Sequence, residues 1–214
     1  EYRRQRQMCI RDRHDGVPLE NPWYDEEWDD RYTDGNGKIA RTGWPMEYMP
    51  VTLDAYKNLP KRDLILFPHR IAPEKQVEIF KDLATHMPEY EFIVCQEQSL
   101  TKDEYHKLLG ESKMVFSANL QETLGISMYE GALVGAIPLV PDRLSYKEMY
   151  MERFKYPEHW TATWKDYTEN RVQLIRLIRD HMQNFDMYTK DIQTQAESLG
   201  KDFFSATRLL ENIK

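Results

Sequence analysis

Four charged residues of this 214-residue chain have types and surroundings that suggest chemistry. Arg70 and Lys75 fall in Pro68-His69-Arg70-Ile71-Ala72-Pro73-Glu74-Lys75, directly after the apolar run Leu64-Ile65-Leu66-Phe67. Two cations between a strand and the first turn of the next helix suit a diphosphate, because free helix amides and the helix dipole add to their charge. An Arg–Lys pair alone is more often two solvated surface charges, so the pair needs context.

Glu122 and Glu130 supply it. They lie in Ser117-Ala118-Asn119-Leu120-Gln121-Glu122-Thr123-Leu124-Gly125-Ile126-Ser127-Met128-Tyr129-Glu130, directly after the run Met114-Val115-Phe116. Glu122 falls in the loop, Gly125 opens the next helix, and Glu130 lies over a turn into it among apolar neighbours. The spacing itself says nothing, since Glu89 and Glu97 repeat it without that context. A carboxylate facing a core is costly unless it is hydrogen-bonded. A ribose diol is a suitable donor for it; the plainer reading is that Glu130 reaches solvent. After a further run, Ile137-Pro138-Leu139-Val140, comes the polar loop Pro141-Asp142-Arg143-Leu144-Ser145-Tyr146-Lys147-Glu148, whose plain role is to connect.

The elements that must position these residues are legible as an alternation. Leu64–Phe67, Phe92–Cys95, Met114–Phe116 and Ile137–Val140 are short apolar runs bounded by charge and proline. Between them, Pro73–Met87, Asp103–Gly110 and Gly125–Gly135 carry helical spacing, with Pro73 suited to a first turn. Short buried runs alternating with helices predict βαβ units around a parallel sheet. The handed crossover places helices on both faces, and ligands bind beyond the carboxyl ends of the strands. Pro138 is expected near the start of its strand, since a central strand has no use for a residue without an N–H. From Trp164 the pattern is helical, through Val172, Leu174, Ile175, Leu177 and Ile178, and then from Ile192 to Ile213. The expected fold is a doubly wound, Rossmann-like α/β domain closed by C-terminal helices.

The net charge of −7 gives no general attraction to nucleic acid, so any such contact would need a local basic patch. No apolar run approaches the ~20 residues that span a bilayer. Cys9 and Cys95 have neither metal-ligand spacing nor a disulfide framework, which points to a reducing, cytoplasmic setting. The absence of a basic-plus-apolar leader points the same way. The acidic, aromatic stretch Gly16–Asp34 reads as a loop or the remnant of another domain rather than a carboxylate metal site. Asp34-Gly35-Asn36-Gly37 is a turn. The basic stretch Arg3–Arg13 looks like translated sequencing-adapter read-through, which would make residues before about His14 foreign; the alternative is an ordinary basic arm. The division expected is an irregular segment over 1–37 and a ligand-binding α/β domain over 38–214. Neither a glycine-rich dinucleotide fingerprint nor a Walker loop is present, which excludes NAD enzymes and P-loop ATPases of those types.

Arg70-x4-Lys75, Glu122-x-x-Gly125-x4-Glu130 and Gly135-x-x-Pro138-Leu139-Val140, in that order, resemble the C-terminal domain of retaining GT-B glycosyltransferases of the broad family-4 type. The resemblance covers Asp63 to Tyr150. Phe204-Ser205 is similar to the closing helix of that family, and Thr42-Gly43-Trp44-Pro45 to the turn that opens the domain. Phe67-Pro68-His69-Arg70 and the string from Pro138 to Glu148 are similar to the tRNA-queuosine mannosyltransferase-like enzymes, which use GDP-mannose. Phage enzymes that glycosylate hydroxymethyl-pyrimidine DNA are another relative in kind.

The resemblance implies a retaining hexosyltransferase whose donor is a UDP-sugar or GDP-sugar, with no cofactor and no metal. It assigns Arg70 and Lys75 to the leaving diphosphate and Glu122 to hydroxyls of the transferred sugar, making these three the catalytic candidates. Thr123, Leu124, Gly125 and Ile126 would border the donor, with amides near Gly125 and Ile126 facing the phosphates. Glu130 would hold the ribose. The chain departs from the family pattern at His69 and at Ser145-Tyr146, where many members have glycines, and this bears on which sugar fits. A GT-B site lies between two domains, and the stretch before the first strand is too short for the second. The chain is therefore expected to be a donor-binding half with little turnover alone, its acceptor a modified nucleic acid or a glycan. The alternatives are a non-catalytic nucleotide-sugar-binding or assembly module, and a UDP-sugar epimerase-like GT-B enzyme.

Overall fold

The computed structural model describes residues 43–207 and residue 210. The basic and acidic stretches before them, the division at 37/38, Thr42, and the run toward Ile213 lie outside the described residues. Five strands form one parallel sheet in the order β2-β1-β3-β4-β5: β1 Arg62–Phe67, β2 Glu91–Val94, β3 Ser112–Phe116, β4 Ile137–Pro141 and β5 Lys155–Tyr156. The helices are α1 Tyr48–Leu53, α2 Val77–His86, α3 Lys102–Glu111, α4 Ile126–Leu133, α5 Tyr146–Met149, α6 Trp164–Gln183 and α7 Phe185–Asp202.

The sheet is buried on both faces, which is why its strands read as unbroken apolar runs rather than alternating ones. Leu64 and Leu66 of β1, Val115 of β3 and Val140 of β4 pack with α1, α3, α4 and the end of α7. Ile65 and Phe67, Met114 and Phe116, and Ile137 and Leu139 point the other way, onto α2 and α6. Alternate residues thus feed two separate cores, as a period of two requires. The chain leaves β1 toward β2 over one face, then crosses back to β3 over the other. The strand order reverses between β1 and β3, and the loops following these two strands face each other there.

Two local features set the positions of the site residues. The expected helix from Pro73 is broken: Pro73–Lys75 forms a 3-10 turn, Gln76 takes left-handed angles (φ 53°, ψ 49°), and α2 begins at Val77. The buried Gln76 amide donates to the carbonyls of Ala118 (2.6 Å) and Thr161 (2.7 Å), which compensates that conformation. Lys75 therefore belongs to the loop and not to the helix. The second feature is Gly125, also left-handed (φ 62°), which starts α4; a Cβ there would lie 2.6 Å from the Tyr146 ring.

Four features differ from or extend the sequence reading. Pro138 is the second residue of β4, paired with Val115, and β5 joins β4 only at Val140 and Pro141, so no ladder bond is lost on that side. The two-residue β5 and the short α1 carry no periodicity that a sequence can show. Phe204 follows α7 and stacks on Tyr129 of α4 with centroids 4.1 Å apart. The carbonyls of Phe203 and Phe204 accept the amides of Trp44 (2.8 Å) and Met46 (3.2 Å), tying the opening of the described chain to its end.

Helix α4 lies close to β3 because Gly131 has no side chain: a Cβ there would sit 2.5 Å and 2.9 Å from the two γ-methyls of the buried Val115. Gly131→Ala is expected to destabilise the domain by up to about 2 kcal/mol in urea unfolding, because overpacking of about 1–3 kcal/mol is offset by a helix-propensity gain of about 1. Adding Val115→Ala relieves the clash, so the double variant should lose less than the sum of the two single changes.

Candidate active site

The loops after β1 and β3 meet through charge and hydrogen bonds. The Lys75 ammonium donates to the Gln121 carbonyl (2.7 Å) and to Glu122 Oε2 (3.1 Å), and both side chains are mostly buried. Asn119 Nδ2 donates to the same Glu122 oxygen (2.8 Å), and the Thr123 amide donates to Oε1 (3.0 Å). A backbone bond from Leu120 N to Glu74 O (2.7 Å) holds the two loops in register. Burial alone pushes the Glu122 carboxyl up, but the Lys75 ammonium and these donors outweigh it and hold it below the usual carboxylate range.

His69 sits against this pair and was visible in the sequence only as a departure from a family pattern. Its Nδ1 lies 3.5 Å from Asn119 Nδ2 and 3.4 Å from Ser127 Oγ. The ring is 6% exposed and packs edge-on against Phe67, with centroids 5.1 Å apart. Burial first, and then the Lys75 charge, push its pKa down to about 3, against weaker opposition from Glu122 and the Phe116 carbonyl. The imidazole is therefore neutral wherever the protein works near neutrality.

Tyr146 lies beneath the cluster. Its hydroxyl is 3.4 Å from both Ser117 Oγ and Asn119 Nδ2, and its fully buried ring fills the space under Gly125. Leu124 packs on the core beside it and Ile126 is 38% exposed; in the first turn of α4 the Met128 and Tyr129 amides donate to the Gly125 carbonyl (2.9 and 3.1 Å), which leaves the Ile126 and Ser127 amides as the ones without an acceptor in the helix.

Arg70 and Glu130 are on the same sheet edge but not in contact with the Lys75–Glu122 pair. Arg70 is largely exposed and ion-pairs with Glu74, four residues on. It lines a hollow of about 330 Å³ with Pro68, His69, Cys95, Gln98 and Tyr105. Glu130 lines a smaller neighbouring hollow of about 140 Å³ with Met49, Lys102, His106 and Ile126. The donor that the part-buried Glu130 carboxylate requires is supplied by the Tyr105 hydroxyl (2.9 Å), so the carboxylate is not left waiting for a ligand. Burial still raises the Glu130 carboxyl above its ordinary value, with Tyr105 and Lys102 opposing.

Asn119 and Tyr105 were missed by the sequence reading. Asn119 could have been suspected from its place three residues before Glu122. Tyr105 lies in the helical run Asp103–Gly110, where nothing in the sequence sets it apart. Among the described residues, no group of three or more His, Cys, Asp or Glu is placed to hold a metal ion, and no helix is long and apolar enough to cross a membrane.

The neutral His69 makes a pH prediction. An unfolded histidine titrates near pH 6.5, whereas folded His69 stays unprotonated down to about pH 3. As pH falls below 6.5 the unfolded chain gains a proton that the fold refuses, so stability drops by about 1.4 kcal/mol per pH unit from this group in the steep part of that window. Urea unfolding of His69→Asn between pH 6.5 and 4 should show a slope shallower by about one proton; an unchanged slope would contradict the buried neutral ring.

No protein-family model matches the chain. It is 24% identical over 180 residues to the tRNA-queuosine alpha-mannosyltransferase of Drosophila melanogaster, a likeness covering 67% of this chain and 48% of that protein. The chain thus spans about half the length of this curated relative. In three dimensions it is similar to TarM, known from a crystal structure: the TM-score is 0.56 at 14% identity, over 82% of this chain and 36% of that one. These likenesses, with the five-stranded parallel sheet and its helices, show an α/β, Rossmann-like half of a GT-B fold.

Proposed function

We propose that this domain is the donor-binding half of a retaining glycosyltransferase that transfers a hexose from a nucleoside diphosphate sugar. The observation that carries the proposal is the Lys75–Glu122 pair at the point where the strand order reverses, beside the amide end of α4. A diphosphate leaving group gains negative charge as the glycosidic bond to it breaks. The ammonium of Lys75, a residue 8% exposed, and the open amides at the start of α4 stabilise that charge where water screens them little. Arg70 reaches the same charge by exchanging its Glu74 partner for phosphate oxygens.

Glu122 accepts sugar hydroxyls on the lone pairs that Lys75, Asn119 and Thr123 leave open, and those three donors hold its carboxylate in place. Thr123, Leu124, Gly125 and Ile126 border the diphosphate, and Glu130 accepts the ribose hydroxyls. The acceptor, a modified nucleic acid or a glycan, meets this half from a surface that the described residues do not form. The name of the Drosophila relative favours a mannosyl donor and a modified nucleoside acceptor.

Calorimetric titration of the chain with GDP, UDP and their hexose conjugates should give binding that Lys75→Ala weakens at least tenfold, the loss expected for one charge-assisted contact of about 1.5–3 kcal/mol. Glu130→Ala should weaken nucleotides but leave inorganic pyrophosphate unchanged. A folded wild-type chain indifferent to every nucleotide would reject the proposal in favour of a non-catalytic module. Hydrolysis or epimerisation of a UDP-sugar without transfer would point to an epimerase-like enzyme.

A further inference from the structure

We infer that Tyr105 is a positioning and specificity residue that makes this site require an intact ribose diol; the inference rests on the reading of Glu130 as the ribose acceptor. Tyr105 forms part of the wall of the larger hollow, and Glu130 part of the smaller. The bond between them, hydroxyl to Oε2 at 2.9 Å, therefore links a wall residue of one hollow to a wall residue of the other. No other hydrogen bond reaches the Glu130 side chain among the described residues.

A phenol has a single hydrogen. Burial and the adjacent carboxylate keep the Tyr105 phenol in its neutral form, and its hydrogen is committed to Glu130. What the pair presents to a ligand is then acceptors only: Oε1 of the carboxylate and the lone pairs of the phenol oxygen. A vicinal diol offers two donors, one for each. A nucleotide lacking one hydroxyl would leave a part-buried acceptor without a partner, and that asymmetry gives discrimination rather than mere affinity. The bond also fixes the carboxylate in one rotamer before the ligand arrives, so little side-chain entropy is lost on binding.

The experiment compares GDP with 2′-deoxy-GDP, and UDP with 2′-deoxy-UDP, on the 214-residue chain, with inorganic pyrophosphate as the control. Wild type should bind the ribonucleotide of the accepted base at least tenfold more tightly than its deoxy form. Tyr105→Phe should reduce that ratio to threefold or less while pyrophosphate affinity stays as in wild type and the chain stays folded, with its melting point lowered by loss of the donor to Glu130. A residue that only filled space would leave the ratio intact, since phenylalanine keeps the ring. If wild type binds a nucleoside diphosphate but does not distinguish ribose from deoxyribose, the ribose role of Glu130 fails. If wild type distinguishes them and Tyr105→Phe does so equally, or binds the ribonucleotide more tightly, the role assigned to Tyr105 fails. If neither nucleoside diphosphate binds, the donor-binding function falls and this inference with it.

Discussion

The contact between Lys75 and Glu122 is the constraint around which this edge of the domain is organised. It joins a loop that leaves β1 to a loop that leaves β3, across the gap where the chain reverses its direction of travel through the sheet. A lysine with little access to water is tolerable only because a carboxylate and a carbonyl both receive it. Several otherwise odd choices follow. Gln76 accepts left-handed angles so that Lys75 can turn away from α2, and its amide is anchored on Ala118 and Thr161. Asn119 is set to hold the carboxylate, and His69, caught between the two charges, stays neutral. Removing either charge would leave its partner buried and alone, so the pair and its supports stand or fall as a unit.

Much of the fold was legible because the sheet is covered on both sides. Leu64-Ile65-Leu66-Phe67 and Met114-Val115-Phe116 must be apolar at every position when alternate residues enter different cores, and such runs stand out in a sequence. Helices α2, α3, α4 and α6 were found from their spacing, and α3 begins at Lys102 behind a Thr101–Glu104 capping box; the four-residue α5 falls in a stretch that reads as a connecting loop. What was missed has a common physical cause. The two-residue β5 exists through pairing with β4, α1 through packing on α4, and the left-handed Gln76 through carbonyls more than 40 residues away. None of these is a local property, and a one-residue break inside a helical pattern leaves no trace in periodicity.

The candidate site was legible in part, for a related reason. Lys75, Glu122 and Glu130 drew attention because a charge after a buried strand, or inside an apolar helix, must find a partner. The identity of that partner was not readable. For Glu130 it is a tyrosine 25 residues earlier, and for Arg70 it is Glu74, one turn along its own loop. Composition tells which groups need satisfying, whereas only the tertiary arrangement tells which are satisfied within the chain and which remain open to a ligand.

The same distinction applies to Ser145-Tyr146, the place where a bulky residue stands in a position that often holds glycine. By volume alone, a tyrosine there would be expected to narrow the cleft and exclude a hexose. The coordinates direct that volume elsewhere: the ring is fully buried, it meets Tyr150 edge-on with centroids 5.4 Å apart, and it presses up against Gly125 from below. Its bulk thus supports the start of α4. The absence of a Cβ at Gly125 and the presence of a phenol at Tyr146 are two halves of one packing solution. On the proposed reading of the site, selectivity for a sugar falls to polar groups beside Glu122, such as Asn119 and His69, rather than to Tyr146.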